Sequence, residues 1–519
     1  MAKKSKFLSV NRFKEVGIIR KSFGLIVVAL FVTASTWADS SPILTASEVE
    51  ALRLPDVHIE AAVYHDGSES SSGVKAAHLD VKGVIGGSIR FSLLLPDEWN
   101  SRFAMGGGGG LVGSIQNAAR GSVNNGFATV GTDTGHRAGG TEGSWALDNL
   151  EALVNFGHVA VHRTAEVSKA IMREYYGKGP SKSYFVGCSR GGGQALMEAQ
   201  RYPQDFDGIV AGAPAFDWQG VAALFVHITQ TMYPDPNNLT KTVLTLEDLD
   251  HIYVEILTQV DEQDGLKDGI IDDPTAVRFD LSKVSGLTDA QRAAVQAVYD
   301  GVSNADGKIY PGFPIGAEGG RGGWFTWLVG PVPGMVNLSY AFGTNIFKYF
   351  VFNDPDWDYS TYDFSHWQAD TRLAGSVLSA KDPNLDAFAS RGGKLILWHG
   401  WADAALPAPA TVAYYEDILK RDPEGMDYVR LFMVPGCYHC GGGPGVSQVN
   451  WLQVVVDWVE GGNAPDRVIA KKPGRGDNPT MTRPLLPYPQ RTEYKGSGDK
   501  HDASNFVLRS SKSDTSLTL

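Results

Sequence analysis

"SYFVGCSRGGGQALMEAQRYP" (Ser183–Pro203) decides the fold of this 519-residue chain. A short apolar run breaks at Gly187-Cys188-Ser189-Arg190-Gly191 and gives way to helix-forming residues that end before Pro203. Strand, sharp turn and helix is the context in which G-x-S-x-G acts as a nucleophile elbow. The serine then occupies a strained turn, the flanking glycines let neighbouring backbone pass closely, and the helix N-terminus favours developing negative charge. A glycine-rich turn with an idle serine is the plain alternative; the apolar strand before and the small residues after favour the elbow.

Further elements of both periods lie on either side. Ser88–Pro96, Asn100–Gly107, Gly126–Asp133, Phe206–Ala215, Gly393–Gly400 and Asp427–Gly436 read as strands, and Val159–Gly177 and Val449–Gly462 as helices. Strands alternating with helices predict an α/β fold with a mostly parallel sheet. Residues 216–386 interrupt the alternation, are rich in Gly, Pro, Trp and Asp, and read as an insertion large enough to be a lid. The expected organisation is a signal peptide over 1–38, a discontinuous α/β-hydrolase domain over 39–215 and 387–519, and a lid domain over 216–386. The segment from Lys472 is Pro-, Ser- and charge-rich, and its last dozen residues are expected to be disordered.

The signal peptide rests on a basic stretch from Lys3 to Lys21, the apolar run Phe23–Thr33 and small residues at Thr36 and Ala38. An uncleaved anchor is the alternative. No later stretch is long and apolar enough to span a bilayer, so a secreted or periplasmic protein is expected, with no membrane partner after cleavage. The net charge of -12 argues against a nucleic-acid partner.

A serine needs a base, and the α/β-hydrolase chain order is serine, acid, histidine. His439 follows a strand and precedes a glycine-rich loop, as the base should, and Asp403 follows the strand ending at Gly400, as the orienting acid should. His399 is read as structural. The chain has three cysteines, and two of them flank His439 while Cys188 precedes Ser189. If serine and histidine meet, Cys188 lies near both Cys437 and Cys440. Cys440, adjacent to the histidine, is the preferred partner, with Cys437 a competitor and buried free thiols a third reading.

Gly106–Gly110 follows a strand, and its N–H groups, taken at Gly107 and Gly108, are expected to form an oxyanion hole with the N–H of Arg190. The rival is a dinucleotide site, since Gly108-x-Gly110-x-x-Gly113 fits G-x-G-x-x-G with Asp133 some 20 residues on. A flexible loop is the third reading. "DEQDGLKDGIIDD" (Asp261–Asp273) offers hard oxygens through two D-G turns. That pattern leaves a Ca²⁺ loop and a solvated acidic loop equally open.

Taken together, "GCSRGGGQALMEAQRYPQDFDGIVAGAPA", "GGKLILWHGWAD", "GCYHCGGGPG" and "RPLLPYPQ" resemble the tannase and feruloyl esterase family over about Pro55–Phe506. The resemblance implies a triad of Ser189, Asp403 and His439, a Cys188–Cys440 disulfide and a structural calcium. The calcium would be held by the Asp261, Asp264 and Asp268 side chains and the Leu266 and Ile270 carbonyls. It also implies a serine carboxylic ester hydrolase acting on small-molecule esters of aromatic acids, such as feruloyl or galloyl esters. Trp324, Phe325 and Trp327 are candidates to stack on an aromatic acyl group, with lid core as their alternative. The family includes mono(hydroxyethyl) terephthalate hydrolase, in which a lid arginine holds the free carboxylate. Here Gly322–Phe347 contains no Arg or Lys and Arg321 is the nearby candidate, which argues against that activity. A non-catalytic binding module on the same fold is the remaining alternative.

Overall fold

The computed structural model describes residues 41–68, 73–330, 332, 334–474, 476 and 479–509. The expected signal peptide and residues 510–519 of the tail lie outside this range.

The strands, in chain order, are β1 (Val57–His65), β2 (His78–Ile85), β3 (Ile89–Pro96), β4 (Arg102–Gly106), β5 (Ala128–Thr132), β6 (Lys182–Cys188) and β7 (Gly208–Gly212). They continue as β8 (Val302–Asn304), β9 (Gly307–Tyr310), β10 (Lys394–Gly400), β11 (Val429–Val434), β12 (Val468–Lys472), β13 (Met481–Leu485), β14 (Thr492–Tyr494) and β15 (Phe506–Leu508). Among the described residues, nine form one sheet in the order β1-β2-β3-β5-β4-β6-β7-β10-β11. The pairs from β1 to β5 are antiparallel, and from β5 through β4, β6, β7 and β10 to β11 the sheet is parallel.

The parallel strands are short, almost continuously apolar and covered on both faces, as crossover connections require. Phe103, Phe185, Ile209 and Leu397 are all buried in one core with the helix Ala160–Tyr176. On the opposite face, Tyr184, Val210, Ile396 and Phe432 pack with Trp451, Val455 and Trp458 of the helix Trp451–Gly461. This is the α/β-hydrolase arrangement. No helix among the described residues is long and apolar enough to cross a membrane.

Between β7 and β10 the described residues add no strand to the large sheet; they supply helices such as Trp218–Met232, Leu246–Val260 and Asp289–Asp300 and the small β8–β9 hairpin. Glycine and proline marked these residues as an insertion but concealed how helical they are. The helix Trp218–Met232 is buried on most sides, so it lacks the polar stripe by which an amphipathic helix is recognised. The Pro-, Ser- and charge-rich C-terminal segment carries β13 paired antiparallel with β12, and β15 paired with β14.

Candidate active site

The three sheet strands that end near one another supply three side chains. Ser189 follows β6, Asp403 follows β10 and His439 follows β11. In parallel sheets the carboxyl ends of the strands and their loops are where ligands bind. Ser189 has φ 62° and ψ -124°, a strained conformation for a residue with a side chain. It is held by its N–H to Gly212 C=O at 3.0 Å and by its C=O, which accepts from Ala215 N–H at 2.9 Å. Close packing explains the flanking glycine: a Cβ on Gly187 would lie 2.3 Å from Gly191 O.

The His439 ring connects the serine and the acid. Its Nδ1 lies 2.8 Å from Asp403 Oδ2 and its Nε2 lies 2.8 Å from Ser189 Oγ. The carboxylate fixes the proton on Nδ1, so Nε2 accepts from the serine hydroxyl. Asp403 is fully supported. Its Oδ1 accepts from Ala405 N–H at 2.7 Å and Leu406 N–H at 2.9 Å. Burial alone would raise the Asp403 carboxyl, but the His439 charge and the hydrogen bonds from His399 and His439 outweigh it and hold it well below the usual carboxylate range.

His399 is structural, as expected. Its Nε2 faces Leu406 C=O at 3.0 Å and Asp403 Oδ2 at 3.2 Å, so it carries the proton, while Nδ1 takes the Thr411 hydroxyl at 2.8 Å. It is a second donor locking the acid.

Cys188 and Cys440 form a disulfide with Cα atoms 5.9 Å apart across 252 residues. The bond joins the residue before the serine to the residue after the histidine. Cys440 itself has φ 60°, so the base-bearing loop is also strained where it is tied down. Cys437 is the free thiol, buried beside this loop, with burial pushing it up to about 12. Replacing Cys188 and Cys440 together by serine is expected to lower kcat/KM for aryl esters by about tenfold or more, because imidazole and hydroxyl lose their fixed register. A loop this long also predicts up to about 5 kcal/mol of lost stability in the chain-entropy description. Denaturant midpoint and turnover of the double variant check both; unchanged values of both would remove the bond's positioning role.

The expected oxyanion loop is displaced by a few residues. Gly107 N–H donates to Val186 C=O at 2.9 Å and Gly108 N–H to Gln194 Oε1 at 3.1 Å, so both are committed inside the protein. The pocket beside Ser189 is reached instead by Gly110, at φ 57°, whose N–H donates to none of the described residues. Arg190 also lines the pocket; as the first residue of its helix its N–H has no intrahelical acceptor.

The Arg190 side chain is a feature the motif did not disclose. The guanidinium is 1 % exposed and donates to the Phe156 and Gly157 carbonyls. It packs over the Phe156 and Trp218 rings, at 4.3 and 5.3 Å from their centroids. Nε and Nη1 have no hydrogen-bond partner. Burial pulls its pKa down to about 9, so it remains a cation at neutral pH directly after the serine.

The pocket is mostly apolar. Trp218, Val221, Phe225, Trp327, Phe342 and Ile346 face Ser189 and His439 across it. Of the three aromatic candidates only Trp327 is present, its ring edge-on to His439 with centroids 5.4 Å apart. Trp324 is fully buried against Tyr299, and Phe325 packs partly buried on the core, so neither lines the pocket. Arg321 is exposed and also absent from the lining.

No residue of the acidic loop lines this pocket. Asp261 Oδ1 accepts from Asp268 and Gly269 N–H, Asp264 from Leu266 and Asp272 N–H, and Asp268 Oδ1 from Ile270 N–H. Asp268 Oδ2 pairs with Arg483 at 2.7 Å. Burial, then neighbouring carboxylates, lifts Asp264 to about 6 and Asp272 to about 8. The loop therefore carries hard oxygen donors with more negative charge than Arg483 balances, which fits a hard cation in kind, though no three of its carboxylates bring ligand atoms within 4.8 Å of one another.

The sequence profile described as Tannase and feruloyl esterase matches residues 76–508. The chain is 32% identical to a mono(2-hydroxyethyl) terephthalate hydrolase from Piscinibacter sakaiensis, over 86% of this chain and 88% of that protein. It is 32% identical to a probable feruloyl esterase B-1 from Aspergillus fumigatus, over 79% of this chain and 80% of that protein. Among solved structures, feruloyl esterase B from Aspergillus oryzae superposes with a TM-score of 0.76 at 26% identity, covering 89% of this chain and 100% of that one. The chain therefore belongs to the tannase and feruloyl esterase family and is a carboxylic ester hydrolase.

Proposed function

We propose that this protein hydrolyses esters of aromatic, phenolic acids, such as feruloyl or galloyl esters, through an acyl-enzyme on Ser189. The observation that carries the reading is the Asp403–His439–Ser189 chain of two 2.8 Å contacts opening onto a pocket walled by Trp218, Phe225, Trp327 and Phe342. Ser189 Oγ attacks the ester carbonyl carbon as its proton passes to His439 Nε2. The oxyanion is held by the N–H groups of Arg190 and Gly110. Collapse breaks the ester bond, and the leaving alcohol takes the proton from His439. Water, deprotonated by the same nitrogen, then attacks the acyl carbon, releasing the acid and restoring the serine.

An aromatic acyl group suits this pocket, because the rings offer apolar faces and no lysine or arginine from residues 216–386 lines it. The likeness to the terephthalate monoester hydrolase supports a second reading, an aryl ester bearing a free carboxylate. Initial rates with methyl ferulate, methyl gallate, chlorogenate and mono(2-hydroxyethyl) terephthalate separate the two. Uncharged phenolic methyl esters are expected to be the better substrates; preference for the terephthalate monoester favours the second reading, and negligible turnover of all four overturns both.

The residues 216–386 would act as the lid, and the acidic loop would hold Ca²⁺ through Asp261, Asp264 and Asp268 with the Leu266 and Ile270 carbonyls. Bound calcium would relieve the repulsion among these carboxylates. Calcium at about 100 times its Kd adds about 2.7 kcal/mol, which for a chain of this size raises Tm by about 3 °C. Scanning calorimetry with chelator and with added Ca²⁺ checks this; identical curves, with no calcium in the dialysed protein, would exclude the site. Export follows from the pattern of residues 1–38, and a mature N-terminus at Asp39 is the expected product.

A further inference from the structure

A second cluster lies behind the nucleophile helix, outside the ester site. His162 stands on the helix Ala160–Tyr176, Glu198 on the helix Arg190–Arg201, and Asp205 in the turn that leads into β7. One ligand atom from each falls within 4.8 Å of the other two, the one such set of three among the described residues. Glu198 is 0% exposed, and among the described residues no N–H or hydroxyl group donates to either of its carboxylate oxygens. A bare carboxylate is among the costliest groups to bury, and it is tolerated when neutralised or when it binds a cation.

Without a metal the neighbours relieve it only by way of a proton: burial first, then the charge and hydrogen bond of the Asp205 carboxylate, hold the Glu198 carboxyl well above the usual carboxylate range. Lys169, the cation beside the cluster, donates to the Asp205 main-chain carbonyl and makes no hydrogen bond to Glu198. His162 Nδ1 lies 2.6 Å from Asp205 Oδ2, and its other nitrogen lies 3.5 Å from Glu166 Oε2 at the surface. The Tyr202 ring stacks on the imidazole with centroids 3.9 Å apart and fixes its plane. The imidazole is partly exposed, which leaves a way in from solvent.

We propose that His162, Glu198 and Asp205 form a site for a borderline divalent cation such as Zn²⁺. Imidazole and carboxylate are both among its ligands, and three protein ligands leave a position for water. Imidazole binds metal only in its neutral form, so protons compete with the ion and occupancy falls as pH is lowered. The ion ties the far end of the nucleophile helix to its neighbouring helix and to the turn before β7. It is independent of the acidic loop, whose all-oxygen donors suit Ca²⁺.

The test uses the full mature chain, stripped by chelator and held in millimolar Ca²⁺. Zn²⁺ is titrated in competition with a chromogenic chelator, and Co²⁺ is added separately for its visible absorption. One Zn²⁺ per chain is expected, with affinity reduced about 10- to 100-fold in Glu198→Gln and in His162→Gln. Asp264→Asn should bind Zn²⁺ as wild type does. Circular dichroism and retained ester turnover show that the variants fold. No Zn²⁺ binding at micromolar metal by wild type, equal binding by folded Glu198→Gln and His162→Gln, or loss of binding in Asp264→Asn would each overturn the site. The first outcome leaves Glu198 as a neutral acid.

Discussion

Replacing Ser189 by alanine is expected to lower kcat/KM for aryl esters on the order of 10⁵-fold while leaving the fold intact. The hydroxyl is the atom that joins the ester, and His439 Nε2 stands 2.8 Å away to take its proton. Without Oγ the imidazole has nothing to activate but water, so the remaining rate comes from binding and the oxyanion donors alone, on the order of 10³-fold over water. Stability should barely change, because the elbow is held by its main-chain bonds to Gly212 and Ala215 rather than by the hydroxyl. Matched denaturant midpoints with collapsed turnover is the expected pair of results. Unchanged turnover of every aryl ester would mean that the chain carries its chemistry elsewhere.

The second large effect belongs to Asp403→Asn, expected to cost on the order of 10⁴-fold in kcat. The carboxylate is what places the His439 proton on Nδ1 and leaves Nε2 free to act as base. An amide keeps the shape but can present its NH₂ group, which reverses the tautomer. The same change removes a linkage to pH. A carboxyl held below its ordinary pKa of about 4 favours the folded chain above that pH, and the contribution is lost as pH falls through the folded value. The asparagine variant should therefore lose less stability than wild type on acidification below about pH 4, while being less stable at neutral pH. Thermal scans across that range check the sign, and steady-state rates check the size.

The parts of this site that could be read from sequence are those whose role is fixed by short-range pattern. Ser189 sits in a turn defined by two glycines, and Asp403 and His439 each follow an apolar strand. The disulfide came within reach because Cys188 and Cys440 are neighbours of residues that must touch. The oxyanion loop failed at the level of single residues for a physical reason. Which N–H is free depends on where Val186 C=O and the Gln194 side chain lie, and both partners come from distant elements. Trp324 and Trp327 are three residues apart, and composition could not say that one fills the core while the other faces His439. The Arg190 side chain was hidden for a similar reason: the motif speaks only for its N–H, and the rings that bury it, Phe156 and Trp218, are remote in sequence. The β1–β2 hairpin and the strands after Lys472 went unread because neither segment carries a strong apolar run bounded by clear turns.

The most direct measurement is the mass of the peptide Ser183–Arg190, released by trypsin after brief mixing with an activated aryl ester at low pH and reduction of the disulfide. The expected result is one acyl group on this peptide, at Ser189, formed as fast as the first alcohol is released and absent from Ser189→Ala. Ester turnover with no acyl group on Ser189, or the same adduct in the alanine variant, would contradict a serine acyl-enzyme.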